Sequence, residues 1–205
     1  MPTKKKIVIF DLDGVLIDSI KNMEISWKHV SFKYGLNIKF EEYKKNIGLP
    51  FDEITKNLQI KKNREKIKKS YNFYSKKFLN KIYIYPNVKN VLKYLIKKNY
   101  LIALITSKDR VRTKKIISLF KLKFKYIFTP NNSIKSKPHP DQIYKIIELE
   151  NIKKKNCYYV GDMNIDAKFA KNAGIKFILA DYGYENKKIK SKIKIKKIAE
   201  LKKIF

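Results

Sequence analysis

Two aspartates two positions apart, Asp11 and Asp13, directly follow the apolar run Lys6 to Phe10 and precede Gly14. In an extended chain, residues i and i+2 point the same way, so both carboxylates face one space and Leu12 faces the other. Paired carboxylates suit a hard divalent cation, and magnesium prefers such oxygen ligands while keeping several waters. Taken alone, the string also fits an ordinary turn after a strand. Three further groups of residues give it chemical meaning. Thr106, Ser107 and Lys108 close a second run, Lys137 and Pro138 follow a third, and Gly161 and Asp162 close a fourth, with Asp166 four residues on. Ligands of open α/β sheets bind at the carboxyl ends of strands, so the four segments can meet in one crevice. There they would hold what phosphoryl transfer requires: a carboxylate to attack phosphorus, hydroxyl and N–H donors for the non-bridging oxygens, and a lysine and a cation to neutralise charge.

The scaffold for these residues is legible in the apolar runs themselves. Lys6 to Phe10, Tyr100 to Ile105, Tyr126 to Phe128 and Cys157 to Val160 read as buried strands, with Lys176 to Ala180 as a fifth. Helical patterns lie between the last of them, the alternation expected of a parallel sheet with helices on both faces. The fold class is therefore α/β, a three-layer Rossmann-like core. One helix starts at Pro86, carries Val88, Val91, Leu92, Leu95 and Ile96 at helical spacing, and ends near Asn99. The stretch from Ile17 to Ile84 shows no strand-like alternation. Ile20, Met23, Trp27, Val30 and Tyr34 trace one helical face, stopped at Gly35, and Ile67, Tyr71, Tyr74 and Phe78 trace another. This predicts a small helical bundle at residues 17–84, inserted into a core made of residues 1–16 and 85–205. The tail from Asn186 alternates Lys and Ile around Lys192 to Ile195 and then turns helical, predicting an edge strand and a closing helix with a basic face.

Composition narrows the function classes. Of 205 residues, 44% are hydrophobic and 13% aromatic, ample for a buried core. The longest apolar runs, Ile7 to Phe10 and Leu101 to Ile105, are too short to cross a bilayer or to form a signal-peptide core, so no membrane partner and a cytoplasmic location are expected. The single cysteine, Cys157, sits in an apolar run and reads as structural. A net charge of +31 raises nucleic acid as a partner. The lysines, however, are spread along the whole chain beside abundant Ile, Asn and Tyr, which points to base composition, and no zinc-ligand spacing, basic zipper or RNA-reading motif accompanies them. A nucleic-acid-associated phosphatase stays as an alternative. In either case a positive field speeds encounter with a phosphorylated substrate.

DLDGVLIDS at Asp11 to Ser19, ITSK at Ile105 to Lys108, KPHPD at Lys137 to Asp141 and GDMNID at Gly161 to Asp166 resemble, in order and spacing, the four motifs of haloacid dehalogenase-type phosphatases. The resemblance covers nearly the whole chain, because the inserted bundle is similar to the α-helical cap domain of the phosphoglycolate phosphatase and β-phosphoglucomutase branch. It implies a Mg2+-dependent phosphatase acting on a small phosphorylated metabolite. It further implies Asp11 as nucleophile, Asp13 as general acid and base, and Thr106 with the Ser107 backbone as holders of the phosphoryl oxygens. Lys137 would steady the charge. Asp162 would complete the magnesium site with Asp11 and the Asp13 carbonyl, and Asp166 would support it or serve as an alternative contact. Dehalogenases of the superfamily lack the second aspartate, so Asp13 argues for phosphoryl chemistry. The mutase branch carries a histidine where this chain has Met23, which favours hydrolysis; His29 lies farther along, and His139 reads as a loop residue. Ile47 to Pro50, with Gly48 and Leu49 at its centre, resembles the substrate-facing loop of the cap.

Overall fold

The computed structural model describes residues 5–131, 133–184 and 189–205. Strand β1 (Lys6–Phe10) leads through the turn carrying both aspartates into the short β2 (Ile17–Asp18). Helices α1 (Ile20–Tyr34), α2 (Phe40–Lys44), α3 (Phe51–Asn57) and α4 (Arg64–Lys77) follow, and then β3 (Tyr83–Ile84). Helix α5 (Val88–Lys97), β4 (Tyr100–Ile105), α6 (Arg110–Phe120), β5 (Tyr126–Phe128) and α7 (Asp141–Glu150) come next. The chain continues through β6 (Cys157–Gly161), α8 (Asn164–Ala173) and β7 (Lys176–Ala180), and β8 (Ile193–Ile195) and α9 (Leu201–Ile204) close it.

Six strands form one parallel sheet in the order β5-β4-β1-β6-β7-β8. Strand β1 lies inside it, and Ile7, Val8, Ile9 and Phe10 are all fully buried, as a parallel strand covered on both faces requires. Its alternation divides the core. Val8 and Phe10 pack with Val91 and Leu95 of α5, Ile116 of α6 and Leu201 of α9, whereas Ile7 and Ile9 pack with Ile143 and Ile146 of α7 and Phe169 of α8. The helix–sheet–helix layers expected from the sequence are therefore present. Because β4, β1 and β6 are adjacent and parallel, their carboxyl ends bring Thr106, Asp11 and Asp162 to one edge.

Between β2 and β3 the four helices bury Trp27, Tyr43, Ile54, Ile67 and Tyr71 together, and Met163, from the loop after β6, joins the same cluster. A buried polar clasp ties α1 to α4: Asn22 Nδ2 donates to the Ser75 and Phe78 carbonyls at 2.9 and 2.8 Å, and Ser75 Oγ donates to Asn22 Oδ1 at 2.8 Å. Residues 17–84 are not wholly helical, as the sequence pattern suggested. Ile17 and Asp18 pair antiparallel with Ile84 and Tyr83, a ladder too short for any period-2 signal, which joins the entering and leaving chain. Ile96 is 49% exposed despite its helical register, since Val88, Val91, Leu92 and Leu95 already complete the stripe that α5 turns inward. The predicted edge strand and closing helix are β8, at the end of the sheet, and α9; residues 186–188 of the tail lie outside the described residues.

Candidate active site

Asp11 extends the β1 ladder by one bond, its N–H donating to the Val160 carbonyl at 3.0 Å, and so its side chain emerges where the sheet stops. Lys137, after β5, lies 3.0 Å from Asp11 Oδ1 and 2.8 Å from Asp166 Oδ1, with the Tyr159 hydroxyl at 3.2 Å. All of these side chains are buried. Burial pushes the Asp11 carboxyl up to about 7, against the opposing pull of Lys137. Burial also works against the charge on Lys137, but Asp11 and Asp166 more than offset it, so the ammonium is held more firmly than usual. Asp166 sits in the first turn of α8, where its Oδ2 accepts from the N–H groups of Asp162 and Met163 at 3.2 and 3.1 Å. Its carboxylate is thus spent on locking the loop that carries Asp162.

Asp11, Asp162 and Asp166 place one carboxylate oxygen each within 4.8 Å of one another. Asp11 Oδ1 and Asp162 Oδ1 are buried without a hydrogen bond, although Lys137 forms an ion pair with the former. Burial, together with the neighbouring Asp166 and Asp11, raises the Asp162 carboxyl well above the ordinary range. A buried, all-oxygen, under-neutralised set of this kind fits a hard divalent cation such as magnesium. Gly14 makes the close approach possible. Its φ is +78°, and a Cβ there would lie 2.1 Å from Asp162 Oδ2. Asp162 is further held by the Tyr184 N–H, 2.7 Å from Oδ2.

Asp13 is fixed separately. Ser19 Oγ donates to Asp13 Oδ1, and Lys108 Nζ lies 3.2 Å from the same oxygen. Thr106 donates its N–H to the Phe128 carbonyl at 3.1 Å and accepts from the Lys108 N–H at 3.2 Å through Oγ1. The cap of α6 is Asp109, whose side chain accepts from the Arg112 N–H at 3.0 Å. Ser107 Oγ is buried without a partner beside Thr106. A cavity of ≈ 40 Å³ separates this edge of the sheet from the helical insertion. Asp11, Asp13, Thr106 and Ser107 line it from one side, and Met23, Gly48 and Leu49 line it from the other. Gly48, at φ +94°, is packed so closely on the core that a Cβ would meet Met163 Sδ at 2.9 Å.

The structure brings Asp13, Thr106, Ser107, Gly48 and Leu49 together with Asp11 around the cavity and sets Lys137, Asp162 and Asp166 beside Asp11; the histidines and the cysteine lie apart. His139 is exposed, and His29 stacks on Tyr74 with ring centroids 4.5 Å apart. Cys157 is buried, and burial pushes its thiol up to about 11. Several residues that line the cavity or hold its carboxylates have no assignment from sequence. Ser19 and Lys108 lie inside the quoted motifs; Arg112 lies in the first turn of α6, four residues after Lys108; Tyr71 carries only the helical spacing of a core residue. Nothing in the sequence distinguished Tyr184.

Residues 8–180 match the family model for haloacid dehalogenase-like hydrolases. The chain belongs to that family. A phosphoglycolate phosphatase of Aquifex aeolicus is 28% identical over 87% of this chain and 86% of its own length. A protein of Caldanaerobacter subterraneus assigned as the pyrophosphatase PpaX is 31% identical over 83% of this chain and 79% of its own. Among solved structures, a Haemophilus somnus protein assigned as a phosphoglycolate phosphatase superposes with a TM-score of 0.89 at 25% identity, covering 100% of this chain and 99% of that one. The family member described here is an enzyme of the phosphatase type. Among the described residues no helix is long and apolar enough to cross a membrane.

Proposed function

We propose that this enzyme hydrolyses the phosphate monoester of a small metabolite through a phosphoaspartate on Asp11, and that residues 17–84 act as a cap over a core made of residues 1–16 and 85–205. The observation that carries the reading is the pairing of a buried Asp11 with Lys137, beside a second, independently held carboxylate at Asp13. In the first step an Asp11 oxygen bonds to phosphorus as the ester P–O bond breaks, and Asp13 passes its proton to the departing oxygen. In the second, Asp13 takes a proton from water, the water oxygen bonds to phosphorus, and Asp11 is released with inorganic phosphate. Thr106 Oγ1 and the Ser107 N–H hold the non-bridging oxygens, and Lys137 offsets the charge gathered at Asp11. A magnesium ion held by Asp11, Asp162 and the Asp13 carbonyl would supply further charge neutralisation on the phosphoryl group. Asp166 positions Asp162 and Lys137. Gly48 and Leu49 close the cavity and exclude water from it.

The names of the relatives support a phosphoglycolate-like substrate, and sugar phosphates fit the same chemistry. A mutase of the β-phosphoglucomutase kind is the less favoured reading, because the cavity position that would carry its histidine holds the apolar Met23. The test is phosphate release from a panel of 2-phosphoglycolate, sugar phosphates and p-nitrophenyl phosphate with magnesium present. Turnover abolished by Asp11→Asn is the expected result. Turnover that survives this change, or a bisphosphate product without phosphate release, overturns the reading.

A further inference from the structure

Two side chains that line the cavity have no part in the chemistry above: Arg112 of α6 and Tyr71 of α4. Arg112 is only 8% exposed, and its guanidinium carbon lies 5.1 Å from the centroid of the Tyr71 ring. Its Nε donates to Asp109, and the two Nη groups of the planar fork carry four further N–H donors. Tyr71 is 1% exposed, and the Tyr43 hydroxyl and the Arg112 guanidinium are the groups within reach of its hydroxyl, although neither meets it at close hydrogen-bond geometry. A buried tyrosine normally uses its hydroxyl, because an unpaired buried donor is costly. What both groups offer the cavity is donors. The complement of a guanidinium fork and a tyrosine O–H is a group made of acceptors, a carboxylate or a phosphate, in preference to a neutral hydroxyl.

We infer that Arg112 and Tyr71 form a subsite for a second anionic group on the substrate, so that the enzyme selects short phosphate monoesters, or anhydrides, that carry a carboxylate or a further phosphoryl group. The inference rests on the phosphatase reading above and deepens it. The two halves come from different parts of the fold, Tyr71 from the inserted helices and Arg112 from the core, so the subsite is complete only when the cavity is closed. Recognition of the second anion is thereby tied to closure, the arrangement by which a correct substrate completes its own site.

The experiment compares kcat/KM for 2-phosphoglycolate, pyrophosphate and ethyl phosphate, the last matching the first in length but lacking a second charge. Wild-type enzyme should favour at least one of the doubly anionic substrates over ethyl phosphate by on the order of 10- to 100-fold, the range expected for charge-assisted hydrogen bonds. Whichever of the two is preferred names the anion as carboxylate or phosphoryl. Arg112→Gln should reduce that ratio to within about threefold, Arg112→Lys should restore part of it, and Tyr71→Phe should lower it several-fold. A purely structural role would depress all substrates together and leave the ratio intact, which overturns the inference. A wild-type ratio near one overturns it without recourse to any variant. Hydrolysis of none of these, or of other monoesters, by wild-type enzyme overturns the phosphatase reading itself and takes the subsite with it.

Discussion

Lys137 sits between two buried carboxylates, and replacing it with methionine tests the electrostatic logic of the site. At 3.0 Å from Asp11 and 2.8 Å from Asp166, each attraction amounts to roughly 5–6 kcal/mol at an effective dielectric constant of about 20. Most of that offsets the cost of taking three charges out of water, so the pairs themselves contribute little net stability. The asymmetry appears when one partner is removed. Two carboxylates are then stranded in the interior, and the expected loss is about 3–5 kcal/mol. Urea unfolding at about pH 7.5, without divalent cations, reads this directly as a shift in midpoint at unchanged slope. The deficit should shrink as the pH is lowered, because the stranded Asp11 carboxyl, which burial already pushes up, takes up a proton in the folded state. Lys137→Met combined with Asp166→Asn removes one stranded charge and should regain a substantial part of the lost stability while remaining inactive. A single variant within about 1 kcal/mol of wild type, or a double variant less stable than the single, would show that Lys137 does not neutralise buried charge.

Gly14→Ala would bring a Cβ to 2.1 Å from Asp162 Oδ2 on a backbone at φ +78°, so it should cost about 1–3 kcal/mol from backbone strain and weaken magnesium binding; calorimetric titration matching wild type would contradict this. With Asp11 pushed up to about 7, a proton competes for the cation site below that pH. Magnesium affinity should therefore fall by up to about tenfold per pH unit below 7 for each proton displaced and level off above it; equal affinity at about pH 6 and 8 would count against the assignment. Glu150 accepts from Lys125 at 2.5 Å, from Tyr126 and from Lys5 at 3.1 Å, contacts that draw its carboxyl down to about 2 from an ordinary 4.5. A depressed carboxyl stabilises the fold above its unfolded pKa, and this is lost as the pH falls through the folded one. The stability gap between wild type and Glu150→Gln should thus be full near neutrality and close between about pH 4.5 and 2; a gap independent of pH would refute the pairing.

The parallel core was legible because its strands are continuous apolar runs buried on both faces; Asp11, Thr106 and Asp162 were legible because each closes such a run, and Lys137 because it precedes Pro138 in the segment after the third. Where local pattern failed, contacts distant in sequence were responsible. The β2–β3 ladder joins residues 17–18 to residues 83–84, and neither segment has the length to announce itself. Tyr71 obeys helical spacing, the signature of packing; only its place in the cavity wall sets it apart. Tyr184 reaches Asp162 through a backbone N–H, a contact that carries no side-chain signature at all. Arg112 was hidden for another reason. In a chain with 49 lysines and arginines, one more basic residue carries no information until its burial is known.

The proposed mechanism places the phosphoryl group on Asp11. In that mechanism Asp13→Asn keeps the nucleophile but removes the acid that protonates an alkoxide and the base that activates water. An aryl phosphate, whose leaving group departs without protonation, should then still phosphorylate the enzyme. Rapid mixing of this variant with p-nitrophenyl phosphate and magnesium, followed by acid quench and peptide mass spectrometry, measures where the group resides. A burst of nitrophenol and a phosphoryl group on Asp11 are expected, both absent when Asp11→Asn is added. A burst that persists in the double variant, or a phosphoryl group on any other residue, would contradict the mechanism.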